Sequence, residues 1–236
     1  MIKKWPKIAK NDQKRQKMIK NQNPLTTTLG GVIIILIVLF CLIVMMPKTQ
    51  TADPQKIVLM GDSITSSWTG YSPEFFSNNS YLINKGVSGE TTPEMLNRFD
   101  ADVLSLAPEA VIILAGINDI AQNTGYISIS ETFNNIALMV DLAKKNNIKP
   151  VLCSVLPANE LTWRPEIKPA ELVIELNQKL SAYCEKNNLV YIDYFSSMVG
   201  GSKELRSELT YDGIHPDKKG YIIMEQILLE TISKIF

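Results

Sequence analysis

The chain has 236 residues, 45% of them hydrophobic and 20% charged, and its formal net charge is zero. Residues 1–24 carry eight basic side chains and one acidic one, which leaves 16 basic against 23 acidic residues in the remainder. An acidic remainder disfavours nucleic acid as a partner. Because the first fifty or so residues look unlike the rest, we predict one globular domain with an N-terminal appendage.

The appendage contains an uncharged stretch at residues 25–46, whose most apolar part is residues 30–46. As a helix it would reach about 33 Å, enough to cross a hydrocarbon core of about 30 Å. We predict a single-pass signal anchor, with basic residues 1–24 in the cytoplasm, a linker at 47–55 and the C-terminal domain outside the cytoplasm. The apolar stretch is longer than usual for a signal peptide and no A-x-A site follows, but cleavage stays open.

Five short apolar runs after residue 55 predict β-strands, because they are continuous rather than alternating, as in a parallel sheet covered on both faces. They lie at 56–60, 81–85, 110–115, 150–156 and 190–193. Helical spacing predicts helices at 93–106, 130–146, 169–187 and 216–236. Strands and helices in alternation predict a three-layer α/β/α sandwich over residues 56–236.

Three cysteines occur, one in the apolar stretch, one in a predicted strand and one in a predicted helix: Cys41, Cys153 and Cys184. We interpret them as free thiols rather than as a disulfide. They do not indicate a redox compartment.

Ser63 follows the first predicted strand in the string GDSIT, and His215, the only histidine, lies in the string DGIHP. A serine nucleophile needs a base at neutral pH, and imidazole is the usual one. Asp212 stands three residues before His215, so that one turn lets its carboxylate accept a hydrogen bond from the imidazole. We therefore predict a catalytic Ser63, His215 and Asp212. Helix capping and a structural histidine are the alternative interpretations.

Two more loops follow strands at the same end of the predicted sheet, where ligands bind in such folds. The string GVSGETT contains Gly89, and the string GIND contains Asn118. The Gly89 N–H and the Asn118 side-chain amide are candidate donors to a substrate carbonyl oxygen, beside a helix N-terminus at Ser63. The alternatives are an ordinary turn glycine and a cap formed by Asn118 or Asp119.

The four strings, in this order, resemble the sequence blocks of the SGNH/GDSL hydrolase family, and the resemblance covers residues 56–236. It implies a flavodoxin-like parallel sheet with strand order 2-1-3-4-5, and serine esterase activity without metal or cofactor. It also implies an oxyanion hole formed by the N–H groups of Ser63 and Gly89 and the Asn118 side chain. His215 would be the base, oriented by Asp212.

The string LPANELTWRP places Trp163 and Arg164 near the same rim, as candidate substrate-binding residues or as parts of a packed surface loop. No lid-like apolar insertion is evident, and in this the chain is similar to the family's small-acyl esterases, including sugar O-acetylesterases. The favoured function is hydrolysis of small acyl esters, above all acetyl esters of carbohydrate. A lysophospholipase or thioesterase acting on lipid, an acyltransferase and a non-catalytic flavodoxin-like scaffold remain alternatives.

Overall fold

The computed structural model describes residues 56–235. The predicted basic N-terminus (1–24), transmembrane segment (25–46) and linker (47–55) lie outside these described residues. None of the helices within residues 56–235 combines the length and the apolar character that a bilayer crossing requires.

Five parallel strands form one sheet in the order β2-β1-β3-β4-β5, which confirms both the predicted fold class and the strand order that the resemblance implies. The central strands β1 and β3 are buried along their whole length. This explains their continuous apolar sequences, because both faces of a central parallel strand are covered by helices. The strands are β1 (Ile57–Gly61), β2 (Leu82–Gly86), β3 (Ala110–Leu114), β4 (Lys149–Cys153) and β5 (Val190–Ile192).

The fourth strand ends at Cys153, three residues earlier than the predicted boundary at 156. Its neighbour β5 has only three residues, so it offers few further backbone partners. The side chain of Asn177 supplies them instead: Val155 N–H donates to its Oδ1 at 2.8 Å, and its Nδ2 donates to Val155 O at 2.9 Å. An amide side chain thus satisfies a buried backbone segment that the apolar sequence alone predicted to be strand.

Eight helices flank the sheet in the described part of the chain, and the four predicted helices are among them. The helix predicted at 93–106 ends at Asp102 and is followed by a 3-10 turn (Leu104–Leu106), which ends at Ala107, a residue with φ 42 that precedes a proline. Ser63 was also expected in the first turn of a helix, whereas the short helices Pro73–Asn78, Ile117–Ile120 and Tyr194–Met198 have no predicted counterpart. The helices are α1 (Ser63–Tyr71), α2 (Pro73–Asn78), α3 (Thr92–Asp102), α4 (Ile117–Ile120), α5 (Ile129–Lys145), α6 (Pro169–Asn187), α7 (Tyr194–Met198) and α8 (Lys218–Ile235).

The helices form two layers: α5 contacts both α3 and α6 in one, and α8 contacts both α1 and α7 in the other. The C-terminal helix fixes the position of α1. Tyr221 of α8 is completely buried and its hydroxyl donates to Ile64 O at 2.8 Å. This hydrogen bond fastens α8 to the first turn of α1, the turn that begins at Ser63.

Cys153 and Cys184 are buried free thiols, as predicted, and Cys41 lies outside the described residues. Burial raises the pKa of both thiols, that of Cys184 to about 11. Both therefore remain protonated at neutral pH and behave as apolar core residues.

Candidate active site

Ser63 is the first residue of α1, directly after the buried strand β1. The preceding residue, Asp62, caps the helix, because its Oδ1 accepts a hydrogen bond from Ile64 N–H at 2.9 Å. With Asp62 in the capping role, the Ser63 side chain is free to point elsewhere. Its Oγ lies 2.8 Å from His215 Nε2. The structure thus brings together two residues that are 152 positions apart in the sequence.

His215 is held by a tight turn that precedes α8. Asp212 Oδ2 lies 2.7 Å from His215 Nδ1, and Asp212 Oδ1 accepts from the backbone N–H groups of His215 at 2.8 Å and Ile214 at 3.0 Å. Thr210 closes the turn, since its Oγ1 donates to His215 O at 2.6 Å. A Nδ1–H directed at the carboxylate leaves Nε2 as an acceptor for the Ser63 proton. This is the geometry of a serine–histidine–aspartate triad.

The Asp212 carboxylate is poised to stay ionised. Partial burial opposes its ionisation, but hydrogen bonds from the His215 N–H, the His215 imidazole and the Ile214 N–H outweigh it and lower the pKa of Asp212. An ionised carboxylate at Nδ1 stabilises the imidazolium that forms when His215 accepts a proton.

Asp62 behaves in the opposite way, because it is buried beneath the site. Burial raises the pKa of Asp62 from its ordinary 3.8 to about 7, although the hydrogen bond from the Ile64 N–H and the electrostatic interaction with His215 oppose the shift. Nearby Asp119 adds to the shift by repulsion. Asp62 therefore titrates near neutral pH.

Gly89 lies in the loop that follows β2, and Asn118 lies in the short helix α4 that follows β3; β2 and β3 are the two neighbours of β1 in the sheet. Gly89 has φ +83, a left-handed conformation that glycine adopts without strain, and its N–H has no acceptor among the described residues. Asn118 is only 4% exposed, and its Nδ2 donates one N–H to Glu90 O at 3.0 Å. The second N–H of that amide is available to a substrate oxygen.

Asp119, beside Asn118, is wholly buried and anchors α4 to its neighbours. It accepts from Thr92 N–H at 2.9 Å, at the start of α3, and from Thr132 Oγ1 of α5 at 3.3 Å. Burial raises the pKa of Asp119, while the hydrogen bonds from Thr92 and Thr132 oppose that shift. Asp119 therefore holds in place the short helix that presents Asn118.

Trp163 and Arg164 occupy different environments. The Trp163 Nε1–H donates to Asn123 Oδ1 at 3.2 Å, which connects the indole to the loop that carries Asn118. Arg164 is exposed, its backbone N–H donates to Leu161 O at 3.0 Å, and its side chain makes no hydrogen bond or ion pair within the described residues. A role for Arg164 in substrate binding stays a prediction.

Asn123 and Tyr211 also lie at the site and were not predicted from the sequence. The ring of Tyr211 is 60% exposed and lies nearly parallel to the His215 imidazole, with centroids 5.9 Å apart. Its place directly before Asp212 was a usable signal, since an aromatic residue beside a candidate catalytic acid is well placed to contact a substrate. Asn123 offered no such signal, because its partners come from other loops.

Comparisons with known proteins identify a family and several similar chains. The sequence model of the GDSL-like lipase/acylhydrolase family matches residues 59–223. The crystal structure of a GDSL-like lipase from Bacteroides thetaiotaomicron superposes with a TM-score of 0.76 and 42% identity, covering 80% of this chain and 93% of that one. An acetylxylan esterase from Geobacillus stearothermophilus is 21% identical over 160 residues, 64% of this chain and 72% of the relative. An uncharacterized lipoprotein, YqeF, from Bacillus subtilis is 26% identical over 52% of this chain, and this chain spans only 57% of that relative.

Proposed function

The chain belongs to the GDSL-like lipase/acylhydrolase family, whose esterases and acylhydrolases act on carboxylic esters, and from this premise we propose that it is a membrane-anchored serine esterase for small acyl esters of carbohydrate, above all acetyl esters. The observation that carries the proposal is the hydrogen-bonded series Ser63 Oγ, His215 Nε2, His215 Nδ1 and Asp212 Oδ2, with distances of 2.8 and 2.7 Å. It is the arrangement that a serine needs to become a nucleophile at neutral pH.

In the proposed reaction, His215 Nε2 takes the proton of Ser63 as Oγ attacks the ester carbonyl carbon, and the carbonyl electrons move onto its oxygen. The tetrahedral intermediate collapses, the bond to the alcohol breaks, and the imidazolium protonates the departing alcohol. Water, deprotonated by His215, then attacks the acyl-serine. This step releases the acid and regenerates Ser63.

We assign the oxyanion hole to the N–H groups of Ser63 and Gly89 and the free N–H of the Asn118 amide. The Ser63 N–H is a first-turn donor of α1 without an intrahelical acceptor. Three preorganised donors stabilise the charge that develops on the carbonyl oxygen only in the transition state.

Exposed aromatic rings beside His215 support carbohydrate as the esterified alcohol. Tyr211 stacks on Tyr71, which is 37% exposed, with centroids 6.3 Å apart. Flat ring faces at a polar rim suit the apolar faces of sugar rings, whereas a long acyl chain is buried best in an enclosed apolar cavity. The acetylxylan esterase relative supports the same substrate class.

The test is hydrolysis of p-nitrophenyl acetate, butyrate, octanoate and palmitate, and of an acetylated xylo-oligosaccharide, by the full-length chain in detergent. We expect acetate turnover that falls with acyl length and disappears in Ser63→Ala and His215→Ala. A preference for octanoate or longer esters would favour the lysophospholipase or thioesterase alternative. Acetyl transfer to an added sugar would indicate a transferase, and no serine-dependent turnover would favour the scaffold.

A tyrosine substitution tests the carbohydrate part of the proposal. Tyr211→Ala should lower kcat/KM on the acetylated oligosaccharide about tenfold and leave p-nitrophenyl acetate within about threefold, because a single aromatic contact is worth up to about 1.5 kcal/mol and a factor of ten is about 1.4 kcal/mol. Tyr126→Ala is the matched control, since Tyr126 is 77% exposed but has no ring contact with His215. An equal loss on both substrates would instead give Tyr211 a role in supporting the imidazole.

We also propose that residues 25–46 anchor the enzyme in a membrane, with residues 1–24 in the cytoplasm and the catalytic domain outside. The support is the uncharged length of the segment and the eight basic residues before it. Fractionation of cells with an epitope tag at the C-terminus should recover the full-length chain in membranes. Protease added outside the cytoplasmic membrane should remove the tag. A shortened chain in the soluble fraction would support a cleaved signal peptide.

A further inference from the structure

The carboxamide of Asn123 lies between the two predicted oxyanion-hole loops. Its Nδ2 donates to Asn118 Oδ1 at 2.8 Å and approaches Gly89 O at 3.3 Å. Its backbone N–H also donates to Asn118 O at 3.1 Å. One side chain therefore contacts both loops that supply donors to the hole.

The hydrogen bonds run from Trp163 to Asn123 and from Asn123 to Asn118, and the Trp163 indole determines which atom donates at each step. The indole N–H of Trp163 can only donate, so the atom of Asn123 that faces it must be the oxygen. The Asn123 nitrogen then faces Asn118 and must meet the oxygen of that amide. The Asn118 nitrogen is consequently left to donate to Glu90 O and to a substrate.

The orientation of Asn118 matters because a flipped carboxamide would present an oxygen to the developing oxyanion and repel it. The two orientations of an amide are nearly equal in shape, so only hydrogen-bond partners distinguish them. Asn123 supplies the donor that favours the productive orientation. Hydrogen bonds in series also polarise one another, so donation from Trp163 and Asn123 strengthens the N–H that Asn118 offers.

We propose that Asn123 is a positioning residue for the oxyanion hole and that the Trp163 indole N–H fixes its orientation; this inference rests on the proposed esterase function. Trp163 lies on the loop between β4 and α6 and is 42% exposed. A substrate that packs against the indole therefore also holds the residue that orients Asn123. Asn123 acts through Asn118 and Gly89 and does not itself contact the reacting atoms.

The decisive variant is Asn123→Asp in the full-length chain. Aspartate keeps an oxygen for the Trp163 N–H but replaces the donor to Asn118 and Gly89 with a second oxygen. We expect kcat on p-nitrophenyl acetate to fall about 30- to 100-fold, somewhat less than removal of a direct oxyanion donor costs, with KM changed less than about threefold. Trp163→Phe, which keeps a ring but removes the N–H, should lower kcat about five- to tenfold.

Asn159→Asp is the matched control, because Asn159 is an exposed amide in the loop between β4 and α6 that also carries Trp163. Its contact is a 3.5 Å approach to Ser202 O. It introduces the same charge and should leave kcat within about twofold. Urea unfolding of each variant shows whether a loss of rate reflects loss of folding. If Asn123→Asp does not fold, the kcat of Trp163→Phe tests the inference instead: the five- to tenfold fall supports it, and an unchanged kcat overturns it.

The double variant Asn118→Ala/Asn123→Asp separates positioning from a general structural role. If Asn123 acts mainly through Asn118, most of its effect disappears when Asn118 is absent, and the double variant resembles Asn118→Ala within about threefold. Two results would overturn the inference: a loss of kcat in the double variant that equals the product of the two single losses, or an unchanged kcat in Asn123→Asp. If the unmodified chain shows no serine-dependent turnover, the proposed function fails and this inference fails with it.

Discussion

The two halves of the candidate site are built in different ways. On one side, Asp212 and His215 meet within a single turn, and the hydrogen bonds that shape it join residues no more than five positions apart. On the other side, Asn123 approaches Gly89, 34 positions earlier, and Trp163, 40 positions later. The acid–base half is local in sequence, and the oxyanion half is assembled from separate loops.

The two halves therefore depend on the rest of the fold to different degrees. The turn 210–216 orients its own histidine, and the fold has only to bring it to Ser63. The oxyanion half has no such autonomy, because its side-chain donor, Asn118, is held by Glu90 O and by Asn123, and Asn123 in turn contacts Gly89 and Trp163 from other loops. We therefore expect substitutions in the acid–base half that keep the hydrogen bonds of the turn to act on chemistry with little change in stability. The oxyanion half should be sensitive to residues that lie away from the reacting atoms.

The largest expected effect is that of Asp212→Asn. Asparagine keeps Oδ1 for the backbone N–H groups of Ile214 and His215, so the turn should persist, but its amide would point an N–H at His215 Nδ1. The proton would then shift to Nε2, which could no longer accept the Ser63 proton. We expect kcat on p-nitrophenyl acetate to fall on the order of 10⁴-fold.

Asp212→Ala provides the contrast, because it removes both carboxylate oxygens. It should lose as much activity as Asp212→Asn and also lower the free energy of unfolding by about 1–3 kcal/mol, since two backbone N–H groups lose their acceptor. If Asp212→Asn kept more than about a tenth of the activity, the acid–base half would not work as described.

A smaller effect is expected for Asn118→Ala in the oxyanion half. Loss of one donor should lower kcat about 100- to 1,000-fold with little change in KM, because the donor acts on charge that exists only in the transition state. Asn146→Ala, an exposed amide at the end of α5, should be indistinguishable from the unmodified chain. A rise in KM with unchanged kcat would move Asn118 from the oxyanion hole to substrate binding.

Most of the fold could be predicted from the sequence because the signals are local. The strands are short, largely apolar runs, although β2 contains Asn84 and Lys85. The helix predicted at 169–187 has the bounds of α6 (Pro169–Asn187). The fourth strand was predicted too long because residue 155 is as apolar as a strand residue, yet its partner is the side chain of Asn177. A side chain that takes the place of a neighbouring strand as hydrogen-bond partner produces no periodic pattern in the sequence.

The candidate site divides in the same way. Asp212 and His215 were visible as a pair because their spacing of three is itself the geometry. Asn123 was not visible, because nothing in the string GINDIAQNTG tells that its amide faces a tryptophan 40 positions on. Asp119 could be seen only as a cap candidate, whereas in the structure it holds the starts of two other helices.

Asp62 connects the two halves, because its buried carboxylate interacts electrostatically with His215 on one side and Asp119 on the other. Its folded-state pKa of about 7 lies above its ordinary 3.8, so the folded chain holds a proton that the unfolded chain has released. The free energy of unfolding should therefore decline as pH rises from about 4 to about 7, and the contribution of this group is complete only below its unfolded pKa.

Asp62→Asn should remove that decline while keeping the cap, since asparagine retains an oxygen for the Ile64 N–H. At pH 8 the variant should be more stable than the unmodified chain by as much as about 4 kcal/mol, the equivalent of about three pKa units. At pH 4 the two should be nearly equal, as measured by urea unfolding at both values. Asp100→Asn, which removes an exposed carboxylate of α3, controls for the lost charge; it keeps Asp62 and should show the same decline with pH as the unmodified chain. If Asp62→Asn were less stable than the unmodified chain at pH 8, the ionised carboxylate of Asp62 would stabilise the folded state. Asp62 would then connect the two halves as a charged group rather than as a buried protonated one.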